Sequence, residues 1–134
     1  MFTFREIKTD KTVKRIVFKN HLNADMYLYE DIFDSIIEKD EKKSQLIDAL
    51  DDLFRNADEI YLFDYSGDST LIAYKYIRFY SDCALFGIVN MMDIKEQEVI
   101  DFYRIDGEET ITDNGEEENR IDSERRGELI KGPN

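Results

Sequence analysis

Residues 60–70 come closest to a catalytic pattern. An apolar stretch at 60–63 ends at Asp64, and a Ser/Gly/Asp/Ser/Thr loop follows at 66–70. Some phosphotransferases present an aspartate nucleophile or a phosphate-binding loop in this way. However, Ser66 stands where an Asp-x-Asp pair needs its second aspartate, and no lysine follows Gly67 as a P-loop requires. Because turns collect the same residue types, this segment predicts a plain hairpin turn.

The other residue types that carry catalytic or metal chemistry are too few to define a site. His21 is the only histidine, which excludes a metal site built on two histidines, and it lies in a predicted turn. Cys83 is the only cysteine, so no intrachain disulfide can form, and its apolar neighbours predict a small buried hydrophobic residue. The stretches 64–70 and 113–116 do not fit the twelve-residue Ca²⁺ loop. We therefore expect no catalytic residues, no cofactor, no metal and no enzymatic activity.

The acidic charge of the chain is concentrated in two blocks. The formal net charge is −13, from 31 acidic and 18 basic residues. Residues 1–28 carry +3, residues 29–68 carry −9, residues 69–105 carry −1 and residues 106–134 carry −6. Such a balance disfavours direct binding to nucleic acid or anionic membranes and favours basic protein partners. The plainer alternative is that the charge only keeps the protein soluble.

Two predicted helices carry much of this charge on their outer faces. Apolar residues recur at helical spacing in 30–39 and again in 41–56, and Asp40 suits the N-cap of the second helix. The outer faces present the carboxylates of Glu30, Asp31, Asp34, Glu38, Asp48, Asp51 and Asp52. Carboxylates at i and i+4 lie about 6 Å apart along a helix, within a factor of two of the ~3.4 Å phosphate rise of DNA. We predict that these seven residues bind a partner, whereas an ordinary solvated helix face remains the alternative.

The rest of the chain predicts an α+β fold with a small antiparallel sheet. Alternating β-branched and aromatic residues predict an N-terminal strand pair at 2–7 and 12–19 and a hairpin at 59–65 and 70–77. Polar residues at 8–11 and 20–25 predict turns, and residues 26–29 fit a short strand or the approach to the first helix.

The second half of the chain is harder to assign. Residues 78–92 fit either a helix or a buried strand, and Gly87 favours the strand or a bend. Asp93 and Glu96 have the spacing of a capping box, so we predict a C-terminal helix at 93–104 that packs on the sheet. Residues 1–105 would form one compact acidic domain. Residues 106–134 contain few aliphatic and no aromatic residues, so we expect an acidic polar tail that is flexible unless a partner orders it.

The sequence also sets expectations on location. Its longest uncharged stretch, 83–92, is far shorter than the roughly 20 apolar residues that span a bilayer. The N-terminus lacks a basic segment followed by an apolar run, which a secretory signal would need. We expect a cytoplasmic protein without membrane contact, and the sequence leaves its oligomeric state open.

Three functions are compatible with these features. The first is a non-enzymatic binding protein that docks on a basic protein surface, such as the nucleic-acid site of a nuclease or another nucleic-acid-binding protein. Inhibitors from phages or mobile elements, including anti-CRISPR proteins, act in this way as nucleic-acid mimics. The second is an immunity or antitoxin protein that neutralises a basic toxin. The third is a small enzyme with an unrecognised carboxylate or tyrosine site, because the chain contains eight tyrosines.

Overall fold

A computed structural model describes residues 3–7, 13–90 and 96–132. Within these ranges the strands are β1 (Arg5–Ile7), β2 (Val13–Lys19), β3 (Asp25–Tyr29), β4 (Glu59–Asp64), β5 (Ile72–Phe79), β6 (Cys83–Asn90), β7 (Gln97–Asp106), β8 (Thr110–Asp113), β9 (Glu116–Asn119) and β10 (Glu128–Lys131). The helices are α1 (Glu30–Lys39), α2 (Leu50–Arg55) and α3 (Arg120–Glu124), with a 3₁₀ segment at Glu41–Ala49. The predicted mixed α+β class is confirmed, and most of the structure is sheet.

One large sheet organises the molecule. Eight of the described strands form it in the order β1-β2-β3-β7-β6-β5-β4-β10, while β8 and β9 form a separate hairpin. Neighbouring strands are antiparallel except β3 and β7, which pair in parallel through Met26 with Gln97 and Tyr27 with Glu98. The predicted sheet was therefore too small, because it omitted β7 and β10 and left the segments of β3 and β6 undecided between strand and helix.

The N-terminal strands agree with the predicted pair. β1 and β2 run antiparallel, whereas residue 2, residue 12 and the predicted turn at 8–11 lie outside the described residues. The predicted turn at 20–25 is confirmed in its first residues, where the Asn20 side-chain oxygen accepts hydrogen bonds from the backbone N–H groups of Leu22 and Ala24. Of the two options for 26–29, the structure adopts the strand β3.

The predicted helix at 93–104 is wrong, because residues 97–106 form strand β7. Asp93 lies outside the described residues. In β7 a register shift lets Val99 pair with Val89 and Asp101 with Ile88, which leaves one extra residue between the two pairs. This β-bulge changes the side-chain alternation, so buried Val99 and Phe102 fall three residues apart and imitate a helical stripe. The ambiguous stretch 78–92 contains β6, a strand that is buried from Ala84 to Val89.

The helical layer between β3 and β4 matches the prediction in its first half. α1 has the predicted bounds, and Asp40 caps the next segment by accepting a hydrogen bond from the backbone N–H of Lys42 at 3.2 Å. The single helix predicted at 41–56 is wrong, since a 3₁₀ segment precedes the short helix α2. The apolar side chains of that segment, Leu46, Ile47 and Ala49, gather at its end, so its first half offers no apolar stripe for an α-helix to bury.

The two faces of the sheet are covered differently. One face packs against α1 and α2 through a large apolar core that includes Phe18, Phe54 and Phe102. The opposite face carries a smaller cluster around Phe86, against which Ile121 of α3 packs. Among the described residues, few apolar side chains therefore cover this second face.

Residues 106–132, predicted as the tail, extend the sheet and lie on its second face. β10 pairs antiparallel with β4, and α3 contributes Glu124, which pairs with Lys75 at 2.8 Å. The Glu59 carboxylate, whose side chain is 3% exposed, accepts hydrogen bonds from Arg125 at 2.6 and 2.8 Å. Arg125 thus neutralises a buried charge of β4, and the carboxylate in turn raises the pKa of the guanidinium. The flexibility of this segment in solution stays a prediction.

We expect Gly87→Ala to destabilise the fold. A Cβ atom at position 87 would lie 2.6 Å from Cε1 of Phe54 and 3.0 Å from Cδ2 of Leu53, so α2 would have to move away from β6. Overpacking of this kind costs about 1–3 kcal/mol. The measurement is the free energy of unfolding in urea. The control is Gly132→Ala, whose Cβ would make an ordinary 3.5 Å contact with Leu129, and an equal loss in both variants would contradict the packing described here.

Replacement of Arg125 by methionine should lower the free energy of unfolding by about 2–4 kcal/mol, because it leaves the Glu59 carboxylate buried without its cation. The neighbouring Arg126 provides a matched control, since it also holds a carboxylate in a two-oxygen contact. Its partner Glu118 is 32% exposed and Arg126 itself 63% exposed, so Arg126→Met should cost less than about 1 kcal/mol. Urea unfolding of both variants makes the comparison, and similar losses would show that burial of Glu59 does not matter.

Candidate functional site

Four of the seven predicted partner-binding carboxylates lie on α1 and form the α1 acidic surface. They are Glu30, Asp31, Asp34 and Glu38. Glu30 is half-buried and the other three are exposed. None of the four forms an ion pair with another described residue, whereas the cations Arg15 and Lys19 of β2 pair with Glu96 and Asp25. The α1 acidic surface therefore keeps its charge.

The negative charge continues past the end of α1. A shallow depression of about 650 Å³ lies there, and its charged lining consists of Asp34, Glu38, Lys39, Asp40, Glu41 and Lys42. Four carboxylates thus face two ammonium groups. Sequence analysis did not assign Asp40 and Glu41 to the partner-binding set, although their position directly after the helix was the available signal.

The remaining three predicted residues are in a different electrostatic state. Asp48 is exposed, and Asp51 pairs with Arg55 of the next helical turn at 3.2 Å. Asp52 accepts hydrogen bonds from Tyr80 at 2.5 Å and from Arg78 at 3.2 Å. Local partners therefore neutralise part of this group, and the seven carboxylates do not form one evenly charged wall.

Asp52 belongs to a polar cluster that joins α2 to the end of β5. Arg78 bridges Asp52 and Asp58, and the Asp58 carboxylate also accepts a hydrogen bond from the backbone N–H of Phe79 at 2.8 Å. The hydrogen bond from Tyr80 is the main cause that lowers the pKa of Asp52. Burial first, and then the Asp52 carboxylate, raise the pKa of Tyr80 to about 12. This arrangement fixes α2 on the sheet.

The loop at 66–70 uses its polar groups to build the turn. The Asp64 carboxylate accepts hydrogen bonds from the backbone N–H groups of Gly67 at 3.1 Å and Ser69 at 2.8 Å. Asp68 accepts a hydrogen bond from the Thr70 hydroxyl at 2.5 Å, and this bond is the first cause that lowers the pKa of Asp68 to about 2. Gly67 adopts φ +81°, as such a turn requires. The predicted hairpin turn is therefore confirmed.

The isolated histidine and cysteine are both partly buried. The His21 ring lies edge-on to Tyr76 with 6.2 Å between centroids, and burial lowers its pKa. Cys83 begins β6 at the end of the buried stretch, so it is less buried than its apolar neighbours predicted, and burial raises the pKa of its thiol.

A larger cavity, which sequence analysis missed, lies on the second face of the sheet. Its volume is about 810 Å³, and its lining comes from the 3₁₀ segment, from β4 to β7 and from α3. Phe63, Lys75 and Tyr103 contribute from three strands of one face. Lys75, only 7% exposed, donates to the Glu124 carboxylate and lies 4.4 Å from the centre of the Phe63 ring. Recognition of β7 as a strand would have placed these side chains on one surface.

Comparisons of the chain with protein-family models, curated protein sequences and solved structures gave no match. Within the described ranges, no three or more His, Cys, Asp or Glu side chains are grouped so that they could hold a metal ion. The helices of the same ranges are too short or too polar to cross a lipid bilayer. Function is therefore inferred from the charged surface and from the cavity.

The Tyr80→Phe variant should raise the pKa of Asp52 towards its ordinary value of 3.8, because the variant loses the hydrogen bond that favours the ionised form. A folded-state pKa below the unfolded value stabilises the protein above about pH 4, and that contribution disappears as the pH falls through the folded-state pKa. The variant should lose about 0.5–1 kcal/mol at pH 7, a modest value since the Asp52 side chain is 41% exposed.

The measurement is an NMR titration of the Asp52 carboxyl carbon, together with urea unfolding at pH 7 and pH 3. The loss of stability should shrink at pH 3. An unchanged Asp52 midpoint in the variant would contradict the hydrogen bond described here. Tyr74→Phe is the control, because that ring lies on β5, the strand that Tyr80 directly follows, and outside the Asp52 cluster.

Proposed function

We propose that this protein is a non-enzymatic binding protein whose acidic surface docks on a basic surface of another protein. The α1 acidic surface is the primary contact. Asp48, Asp51 and Asp52 are secondary contacts, since Arg55 and Arg78 already pair with two of them. The observation that supports this proposal most strongly is that the four α1 carboxylates form no ion pairs with described residues, while cations of β2 neutralise other acids. A carboxylate that forms no ion pair within the protein can pair with a cation of another protein.

Exposure makes this surface suitable for electrostatic docking. Asp31, Asp34 and Glu38 are exposed, so a partner can contact these carboxylates without displacing other parts of the protein. Complementary charge accelerates association and orients the encounter, while the net affinity gained for each exposed pair is modest. The net charge of −13 adds a long-range field that acts over a Debye length of about 8 Å at physiological salt.

The partner that fits this surface best has a nucleic-acid site. Such sites are lined with Lys and Arg to bind phosphates, and carboxylates one helical turn apart offer a similar array of negative charge. We therefore favour an inhibitor that blocks a cytoplasmic nuclease or another nucleic-acid-binding protein, as counter-defence proteins of phages and mobile elements do, anti-CRISPR proteins among them. The exposed acids of the β8–β9 hairpin add repulsion towards nucleic acid itself.

The test removes equal charge from two places. The first variant carries Asp31→Asn, Asp34→Asn and Glu38→Gln, and the matched control carries Asp113→Asn, Glu116→Gln and Glu117→Gln in the β8–β9 hairpin. Both retain side-chain size and lose three negative charges. The partner is isolated by affinity capture from the native host, and its Kd for each variant is measured from 50 to 300 mM salt.

The α1 variant should bind the captured partner at least about tenfold more weakly at low salt and show a shallower salt dependence, whereas the hairpin control should change by less than about threefold. Thermal melting verifies that both variants fold. Equal losses in both variants would mean that only total charge matters. A partner that binds the wild type and its nucleic acid simultaneously would contradict the inhibitor form of the proposal.

A further inference from the structure

The cavity of about 810 Å³ on the second face of the sheet has the size of a small-molecule site. The large apolar core lies on the other face, and among the described residues a smaller apolar cluster around Phe86 and Ile121 packs against the strands here. The cavity is lined by described residues that are far apart in the sequence, from the 3₁₀ segment to α3. It does not depend on the function proposed for the α1 acidic surface.

The charge inside this cavity differs from that of the whole molecule. Acidic residues outnumber basic residues by 31 to 18 in the chain, yet the described lining has more cations than carboxylates. The cations are Lys42, Lys43, Lys75, Arg104 and Arg120. The carboxylates are Asp40, Asp101, Asp106 and Glu124. The lining is thus far less acidic than the protein as a whole, and a cation without an ion pair in it would favour an anionic ligand at this place.

Three of the five cations are neutralised within the lining. Lys43 pairs with Asp101 at 3.3 Å, and Lys75 pairs with Glu124 at 2.8 Å. Arg104 likewise pairs with a lining carboxylate, 3.0 Å away. These pairs hold the walls of the cavity in place and contribute no net charge to it.

The other two cations differ, because one of them is paired with a carboxylate outside the lining and the other forms no ion pair with a described residue. The carboxylate that Arg120 contacts at 2.7 Å belongs to Glu109, outside the lining. The Lys42 ammonium has no partner among the described residues, and the side chain of the preceding cap Asp40 is directed to the Lys42 backbone N–H. Lys42, which also lines the depression at the end of α1, is therefore the one cation of the described lining that no ion pair neutralises.

Aromatic rings give the cavity a second property. The Phe63 and Tyr65 rings, at the end of β4, meet edge to face with 6.1 Å between centroids. Tyr65 is 42% exposed, so one of its faces is open to a stacking partner. The Tyr103 ring stacks on Phe86 at 5.0 Å on one side, with the Lys43 ammonium 5.7 Å from its centre. Rings that are fixed by packing and partly open to solvent bind planar molecules well.

We propose that this cavity binds a small planar aromatic molecule that carries a negative group, of nucleotide size or smaller. The ring of the ligand stacks on Tyr65 beside Phe63, and its anionic group pairs with the Lys42 ammonium. A charge-assisted bond of this kind is about twice as strong as a neutral hydrogen bond, so the anion contributes much of the selectivity.

The test uses two pairs of probes that differ only in charge. AMP and indole-3-acetate are the anionic probes, and adenosine and indole-3-acetamide are their neutral counterparts. Each is titrated into the ¹⁵N-labelled full chain, and amide shifts are followed by NMR. We expect at least one anionic probe to shift amides of the 3₁₀ segment, β4 and β7, with a Kd at least about fivefold lower than that of its neutral counterpart. Inorganic phosphate alone should bind more weakly than AMP.

Two variants and one control assign the site. Lys42→Glu should raise the Kd of the anionic probe about tenfold, and Tyr65→Leu should weaken both members of a pair together. Lys14→Glu makes the same charge change on an exposed residue of β2 outside the cavity and should have no effect. The proposal is overturned if neither anionic probe shifts these amides at 10 mM, if neutral probes bind equally well, or if Lys14→Glu weakens binding as much as Lys42→Glu.

Discussion

The ion pair between the Glu59 carboxylate and the Arg125 guanidinium joins strand β4 to the segment that follows α3. The second face of the sheet depends on both of these parts of the chain. Glu59 begins β4, and its side chain is almost completely buried. A buried carboxylate is stable only when a cation and hydrogen bonds accompany it. Here Arg125, directly after α3, is the cation and donates two hydrogen bonds, and the Tyr61 hydroxyl of β4 donates another at 3.3 Å. Lys75 is a buried cation that needs a carboxylate beside it for the same reason, and Glu124 provides that carboxylate. Two buried charges thus require one short C-terminal segment.

The sheet separates two chemical surfaces. The helical layer buries its apolar stripe against one face, so the carboxylates of α1 must point to solvent. On the other face the apolar cluster is smaller and is accompanied by ion pairs and aromatic rings, which leaves room for the cavity. A macromolecular partner on α1 and a small ligand in the cavity would therefore contact largely different surfaces. The two surfaces meet at Asp40 and Lys42, since both residues line the cavity and the depression at the end of α1.

The sequence predicted the elements whose side-chain pattern is local. The stripe of α1, the Asp40 cap and the β4–β5 hairpin follow from short-range rules, and the structure has all three. β7 was assigned to a helix because its bulge spaces Val99 and Phe102 three residues apart. The acidic residues of α1 could be named from the sequence, whereas the neutralisation of Asp52 by Arg78 and Tyr80 depends on the sheet. The cavity combines distant strands, so no local pattern marks it.

The parallel pairing of β3 with β7 constrains the order in which the chain can acquire its structure. Met26 and its partner Gln97 are 71 positions apart, and in the described residues this short pairing is the seam between two antiparallel meanders. During synthesis the first meander and the helical layer leave the ribosome well before β7 exists. The apolar side chains of this first part of the chain cannot be fully buried until β7 has been made, because β3 can pair with β7 only then. The protein should thus become native in one late, cooperative step, and a cell must protect the unfinished chain until then.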